Sequence, residues 1–232
     1  MRLQTRLLLV MALVAAVFTQ LPHAVEPQTR AAFAAPAGGD AVTIWNAHAG
    51  VAATKACIAP RDDPFHESRL YAMMHIAIHD ALNAIDRRSR PYTFDRQAEP
   101  GASPDAAVAA ARDVLVPLIG QLPRELVSQS CIDAGVASVE ADYTAALAPI
   151  PDAPAKAQGI AVGQAAAAAI LALRAADGAV GPFRNASCPQ DTPPGTYQCT
   201  PGFPFIAFEV WAKVTPSFCR TAHSSVRGRP TR

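Results

Sequence analysis

The chain of 232 residues is long enough for one domain of ordinary size. Half of its residues are hydrophobic and only 17% are charged, so it can bury a sizeable core. Aromatic residues are scarce at 6% and alanine supplies much of the apolar content, which favours packed helices over a β-sandwich. The net charge of +1 excludes a partner held mainly by charge, such as a nucleic acid.

Residues 1–34 have the pattern of a secretory signal peptide. The basic start MRLQTR is followed by the apolar run LLLVMALVAAVF and then by small residues typical of a cleavage site. Because this run is short for a membrane span, we expect cleavage near residue 34, with a site near Ala24 and an uncleaved anchor as alternatives. The mature protein is then exported to the periplasm or the extracellular space and is free of the membrane.

Apolar residues at three- and four-residue spacings predict an all-α fold, a partial helical bundle over residues 35–178. The clearest helix covers 65–86, and another begins at Ser103 as N-cap and is ended or kinked by Pro117. Further helices are predicted within 41–57, over 123–150 and over 152–178, the last closed by Gly178 as C-cap. Residues 179–216 are rich in proline and glycine and predict a long loop arm that wraps over the helices.

Five cysteines are present, and an exported protein can carry disulfides. Cys188 and Cys199 flank a Pro/Gly-rich loop and form the first predicted pair. Cys57 and Cys131 remain as the second pair. Cys219 is left over and requires an explanation.

The segment HIAIHD places His75 and His79 on one face of a helix, as in a zinc-binding pair. Ile76 stands where the zinc motif H-E-x-x-H requires glutamate, and no third ligand is obvious nearby. Three interpretations are open: a packed helix with two hydrogen-bonded histidines, a contact to substrate or cofactor in a larger site, and a weak metal site. The first is favoured.

Other catalytic patterns are weaker. Ser-His-Asp chemistry is disfavoured because the chain lacks a G-x-S-x-G elbow and the strands that carry it. Asp62 and Asp63 lie in a proline-flanked loop and are expected to be solvated or to cap a helix. Gly159, Gly163 and Ala167 recur every four residues, which predicts close helix packing rather than a phosphate loop.

Four segments together resemble a known family: SRLYAMMHIAIHDALNAID, RPYTF, GASPDAAVAAARDVL and PPGTYQCTPGFPFIAFEVWAKVTP. They look like the N-terminal half of exported bacterial proteins similar to vanadium-dependent haloperoxidases, in the PAP2 or acid phosphatase superfamily. The resemblance covers roughly residues 41–216. It implies an all-α bundle that holds vanadate, or a transferred phosphoryl group, in an oxyanion pocket built by lysine, arginine and histidine.

The chain departs from that family in its catalytic motifs. Pro-Ser-Gly-His and Ser-Arg-x5-His are both absent from the sequence. Lys213 and Arg220 have the spacing of the family's Lys-x6-Arg-Pro motif, but Thr221 replaces the proline and we treat the match as coincidence. No catalytic residue and no cofactor are therefore assigned to this chain, whereas vanadate is expected in a full-length relative that oxidises halide with peroxide.

Residues 217–232, SFCRTAHSSVRGRPTR, contain four arginines and no apolar period. One permitted back-translation, with a single T restored before codon 217, reads FVLPDSSQFRPGPPYA. The resemblance leads us to expect such a proline-rich continuation. We therefore expect this tail, with its unpaired Cys219, to be out-of-frame translation, and the chain to be a truncated, inactive family member that lacks its catalytic half. A natural short paralogue is the alternative.

Other functions remain open at this level. The parent could be a PAP2-type phosphatase, or the chain could be a non-enzymatic helical binding or scaffold protein. A stand-alone metal protein using His75 and His79 is a third reading. Without a partner half, apolar helix faces would be exposed, so self-association is expected.

Overall fold

A computed structural model describes residues 39–60, 63–180, 186–188, 193–195, 197–202, 205–206 and 208–217. Within these residues the protein is all-α, as the sequence predicts. The α-helices are α1 (Ala41–Lys55), α2 (Pro64–Ile85), α3 (Pro104–Ala109), α4 (Arg112–Gly120), α5 (Gln129–Leu147) and α6 (Pro154–Arg174). The predicted signal peptide and residues 218–232 of the predicted out-of-frame tail lie outside the described residues.

The predicted loop arm contains short regular elements in its described parts. Strand β1 (Ala186–Ser187) pairs antiparallel with β2 (Phe205–Ile206), and a 3₁₀ helix spans Glu209–Lys213. A disulfide joins Cys188 to Cys199 between the two strands, with their Cα atoms 6.1 Å apart. The same loop is therefore closed by a covalent bond and by a backbone ladder.

Side-chain oxygens cap four of the helices at their N-termini, where the first N–H groups lack partners inside the helix. The predicted cap Ser103 is confirmed, because its hydroxyl accepts the N–H of Ala106 at 3.3 Å. Asp63 was expected either to be solvated or to cap a helix. It caps α2 and is buried. The caps are Asp40, Asp63, Ser103 and Ser128.

The helix predicted from Ser103 breaks earlier than expected. Pro117 does not end this helix, because it lies inside α4. The break falls at Ala110 and Ala111, where the N–H of Ala111 bonds to the carbonyl of Val108 at 2.9 Å. This tighter i to i+3 bond satisfies the backbone while the chain turns, and the small alanine side chains let the turn be buried.

Two other predicted helix ends also shift. Helix α5 begins at Gln129 rather than at residue 123, because Ser128 caps it. Helix α6 ends at Arg174, so Gly178 is not its C-cap. Arg174 Nε donates to the Asp177 carboxylate at 3.0 Å, which holds the chain in a turn, and Gly178 supplies the φ of +90° that this turn needs.

Helix α2 lies at the centre of the fold and packs against α1, α3, α4 and α6, while α5 packs against α1 and α4. Alanines fill much of the space between the helices, so the backbones approach closely and few large side chains are needed. The largest fully buried hydrophobic side chains are Trp45, Ile58, Met73, Met74, Leu115, Ile119 and Ile170.

The predicted small-residue packing is confirmed at Gly159 and Gly163, both buried where α6 crosses α3. A Cβ added at Gly163 would overlap the carbonyl oxygen of Ala107 and come within 2.5 Å of Ala110 Cβ. By length and composition α6 is also the one helix of the described residues that could cross a membrane. In this fold it packs along α2 and α3.

The second disulfide joins Cys57, just after α1, to Cys131 in the first turn of α5, with Cα atoms 5.7 Å apart. Both cysteine pairs predicted from the sequence are therefore confirmed. A chain with two structural disulfides is typical of an oxidising compartment.

The approach of α6 to α3 yields a paired test. Gly163→Ala should lower the free energy of unfolding by about 1–3 kcal/mol, because the new methyl group must push the helices apart. Gly120→Ala is the matched control, since no atom lies within 4 Å of a Cβ there. Urea denaturation of both variants measures the difference, and equal stabilities would contradict the close packing.

The Cys57–Cys131 disulfide closes a loop with a sequence separation of 74. Replacing both cysteines with serine should cost about 4 kcal/mol, because the unfolded chain regains the freedom that this loop removes. The double serine variant of Cys188 and Cys199 is the control, because that loop spans only 11 residues in sequence. Thermal unfolding under non-reducing conditions compares them, and a larger loss in the control would refute the assignment.

Candidate functional site

The most connected group of polar side chains lies at the C-terminal end of α2 and in the loop that follows it. We name His79, Asp80, Asn83 and Ser89 the polar cluster. Three of these residues lie on the last turns of α2, and Ser89 follows a short distance after the helix ends. A loop that folds back against its own helix brings the four side chains together.

The carboxylate of Asp80 holds this loop in place. Its Oδ1 accepts the N–H of Tyr92 at 2.7 Å, and its Oδ2 accepts the N–H groups of Thr93 at 2.6 Å and Phe94 at 2.8 Å. The Thr93 hydroxyl donates to the same Oδ2 at 3.1 Å. We call this arrangement the Asp80 clasp; it joins the last turns of α2 to residues 92–94.

The clasp favours an ionised carboxylate. Asp80 is fully buried, and burial by itself would raise its pKa. The hydrogen bonds from the three backbone amides and from His79 outweigh this cost, so the pKa of Asp80 lies below its usual value. Asp80 is therefore negatively charged over the ordinary pH range.

Asn83 fixes the start of the loop. Its side-chain Oδ1 accepts the backbone N–H groups of Arg88 and Ser89, each at 3.1 Å. Asn83 is buried, so these bonds are shielded from water. The turn after α2 is thus held at both of its ends, by Asn83 and by the Asp80 clasp.

His79 connects Asp80 to Ser89. Its Nδ1 lies 3.0 Å from Asp80 Oδ1, and its Nε2 lies 2.9 Å from the Ser89 hydroxyl. The His79 side chain is 44% exposed, whereas Asp80 is inaccessible to solvent. The three side chains therefore run in a line from the interior to the surface.

The two histidines of the HIAIHD segment have different hydrogen-bond partners. His75 Nε2 lies 2.9 Å from Asn46 Oδ1, so His75 faces α1, while His79 faces the loop after α2. Burial lowers the pKa of His75, which favours the neutral ring. Both histidines are hydrogen-bonded, as the favoured interpretation had it, although His79 is exposed. Within the described residues no group of three histidine, cysteine or acidic side chains is placed to hold a metal ion.

Two open cavities lie on either side of His79. One, of about 370 Å³, is lined by His79, Asn83 and Ser89 together with the apolar side chains of Leu82, Ile85 and Pro104. The other, of about 600 Å³, combines apolar groups with two imidazoles and the guanidinium of Arg90, and its lining residues are Ala72, His75, Ile76, His79, Arg90, Pro91 and Tyr92. His79 is thus accessible from both.

A second polar group, the arm clamp, lies at the opposite end of α2. Its first half is Asp63 with His66, whose Nδ1 lies 2.5 Å from the Asp63 carboxylate. The ring of His66 packs edge-on against Trp211 of the arm, with centroids 5.1 Å apart. The arm therefore contacts the first turn of α2 directly.

The other half of the arm clamp is Asp177 between two arginines. Arg69 Nε and Arg174 Nε each donate to the Asp177 carboxylate at 3.0 Å. Arg174, itself buried, also donates to the backbone carbonyl of Thr215 in the arm. This network fixes residues 215–216 to the end of α6.

The remaining residues singled out from the sequence do not join either group. Asp62 lies outside the described residues, as does Arg220. Lys213 is exposed at the end of the 3₁₀ helix. Ser89 and Arg174 were not predicted from the sequence as members of a site. Ser89 carries no motif of its own, and only the short distance from HIAIHD to the RPYTF segment indicates that the loop returns to α2.

The chain was compared with protein-family models, curated proteins and solved structures, and none of them matches it. The contacts of α2 and the sequence segments described above therefore carry the functional interpretation.

The Asp80 clasp gives a test of both stability and pH dependence. Asp80→Asn should lower the free energy of unfolding by about 2–4 kcal/mol, because a neutral amide cannot accept all of these N–H groups. Since the folded pKa is depressed, the stabilisation is present above the unfolded pKa of about 3.9 and is lost as the pH falls through the folded value. In denaturant titrations from pH 7 down to acid, the unfolding free energies of the wild-type protein and of Asp80→Asn should therefore converge.

Asp95→Asn is the matched control, because that carboxylate is 74% exposed and, within the described residues, forms its ion pair with Arg87. Its unfolding free energy should stay within about 0.5 kcal/mol of the wild-type value. If Asp80→Asn behaved like this control, the clasp would not be the constraint that holds the loop.

Proposed function

We propose that this chain is the helical, non-catalytic half of an exported haloperoxidase-like protein, and that the parent oxidises halide with peroxide at a vanadate held by a second half. The chain alone then has no vanadate-dependent activity. Its role in the parent is to provide the helical framework around α2 against which the catalytic half packs.

The observation that carries the proposal is that the four segments of the resemblance meet on α2. The Asp80 clasp joins the first, residues 68–86, to the second, residues 90–94. The third contributes α3, which packs on α2. The fourth lies against the start of α2, where Trp211 stacks on Phe65 with centroids 5.2 Å apart. Residues that recur because they build one framework are expected to gather in this way.

The side chains gathered on α2 do not fit a vanadate site. Both ring nitrogens of His79 face protein groups, and the ionised Asp80 carboxylate 3.0 Å away would repel an oxyanion. His75 Nε2 is directed to Asn46. We therefore assign vanadate to the other half and derive no step of its chemistry from this chain.

Export is part of the same proposal. The two disulfides support an oxidising compartment. The pattern of residues 1–34 adds a signal peptide as the route to it. Whether that compartment is the periplasm or the extracellular space is left open.

A second candidate is a non-enzymatic helical binding protein. The observation that favours it is the cavity of about 600 Å³ beside His75, which is open and combines apolar walls with Arg90. In the first proposal the same opening is covered by the catalytic half. In the second it takes a separate ligand.

The deciding experiment starts from the gene. The DNA is read from codon 205 through several hundred bases beyond the stop. Two proteins are then expressed: the 232-residue chain, and the extended protein made when one base is restored before codon 217. We expect the restored frame to continue into Pro-Ser-Gly-His and Ser-Arg-x5-His. The extended protein should then brominate monochlorodimedone with peroxide only after vanadate is added, and the 232-residue chain should not.

Phosphatase activity of the extended protein that vanadate inhibits would point to the phosphatase branch instead. A stop with no such motifs in any frame would remove the proposal and leave the binding protein. Vanadate-dependent bromination by the 232-residue chain alone would also contradict it.

A further inference from the structure

Two groups of the polar cluster make no hydrogen bond to the loop backbone. The backbone is held by the carboxylate of Asp80 and by Asn83 Oδ1, which together accept five N–H groups. Neither the imidazole of His79 nor the hydroxyl of Ser89 bonds to the loop backbone. Their alignment with Asp80 therefore calls for an explanation beyond holding the turn.

The alignment has the geometry of an activated nucleophile. Because Asp80 is ionised and can only accept, the proton of the His79 ring is placed on Nδ1, facing the carboxylate at 3.0 Å. Nε2 then presents its lone pair to the Ser89 hydroxyl at 2.9 Å, and the Asn83 amide Nδ2 lies 3.0 Å from the same nitrogen as a second donor. The hydroxyl has a second acceptor in Asn83 Oδ1, but this lies farther away at 3.2 Å.

The surroundings suit an acyl substrate. Ser89 is exposed, His79 is half-exposed and Asp80 is buried, which is the order required of nucleophile, base and orienting group. The adjoining open cavity of about 370 Å³ has apolar walls from Leu82 and Ile85, with Asp86 and Arg88 also on its lining, and it offers room for a small acyl group. Asn83 Nδ2 donates to Ser89 Oγ at 3.0 Å and so holds the hydroxyl oxygen in position.

We propose that Ser89, His79 and Asp80 form an acyl-transfer site that hydrolyses esters of small apolar carboxylic acids. Ser89 and His79 are the catalytic residues, and Asp80 is a positioning residue that holds the ring. The sequence disfavours Ser-His-Asp chemistry, because it lacks a G-x-S-x-G elbow and the strands that carry it. Here the end of a helix and a returning loop supply the same geometry, and the proposal is independent of the vanadate-dependent function.

The reaction balances with water alone. The Ser89 oxygen forms a bond to the ester carbonyl carbon while its proton passes to His79 Nε2, and the carbonyl electron pair moves to oxygen. Collapse breaks the bond to the leaving alkoxide, which takes that proton and departs as an alcohol. Water then gives a proton to His79 Nε2 and attacks the acyl carbon. The bond from that carbon to the Ser89 oxygen breaks, and the oxygen takes the proton back from His79, so the products are a carboxylic acid and free Ser89.

The test uses the full chain with its disulfides intact. A fluorophosphonate probe should label Ser89, identified by peptide mapping, and p-nitrophenyl butyrate should be hydrolysed. Ser89→Ala should reduce the hydrolysis rate at least about 100-fold, because the nucleophile is lost while its backbone N–H still bonds to Asn83. Ser130→Ala is the control, an exposed serine on α5, and its rate should be unchanged.

The position of the proton on the His79 ring distinguishes a positioning role of Asp80 from a purely structural one. The ¹⁵N shifts of His79 should report a proton on Nδ1 in the wild-type chain, as the contact with Asp80 requires. The proposal is overturned if Ser89→Ala retains the rate, if the probe reacts with another residue, or if the proton lies on Nε2. Should Ser89→Ala fail to fold, labelling of Ser89 in the wild-type chain decides by itself.

Discussion

The buried carboxylate of Asp80 is the constraint on which the rest of the site depends. A charge in this position is stable only because three backbone amides and an imidazole surround it. The three amides come from the loop, which Asn83 also holds against α2 through the N–H groups of Arg88 and Ser89. Folding the helix and placing the loop are therefore one event, since the helix would bury an unpaired charge without the loop.

Irregular chain is anchored to α2 at both of its ends, but by different interactions. At its C-terminal end a single carboxylate collects backbone N–H groups. At its start, Asp177 is paired with two arginines, and one of these, Arg174, continues to a carbonyl of the arm. Both devices anchor irregular chain to a central helix, and both use buried charge whose partners are fully specified. This explains how a core with many alanines can still position its loops.

The sequence predicted what local patterns control, and it failed where distant groups decide. The all-α class, the helix over 65–86, the cap at Ser103 and both cysteine pairs follow from periodicity, capping chemistry and loop composition. The position of the break at Ala110 and the end of α6 at Arg174 do not. The first depends on burying a tight turn among alanines, and the second on an ion pair with Asp177 that also reaches the arm. The helix propensities of the individual residues cannot predict either of these contacts.

The candidate site shows the same division. From the sequence, the HIAIHD segment indicates a candidate site made of two histidines on one helix face. In the fold these histidines serve different neighbours, and the partner that matters to His79 is Ser89, ten residues further on in a loop. No periodic pattern places that serine. Its position follows from Asn83 and Asp80, whose roles are visible only once the loop has been folded back.

The order of the disulfides has a consequence for how the protein matures. Cys57 pairs with Cys131 and Cys188 with Cys199, so each bond joins cysteines that are consecutive along the chain. A chain that enters an oxidising compartment with its N-terminus first presents each pair in turn. Under the proposed export, an oxidase that links these four cysteines in their order of arrival would produce both observed pairs without rearrangement.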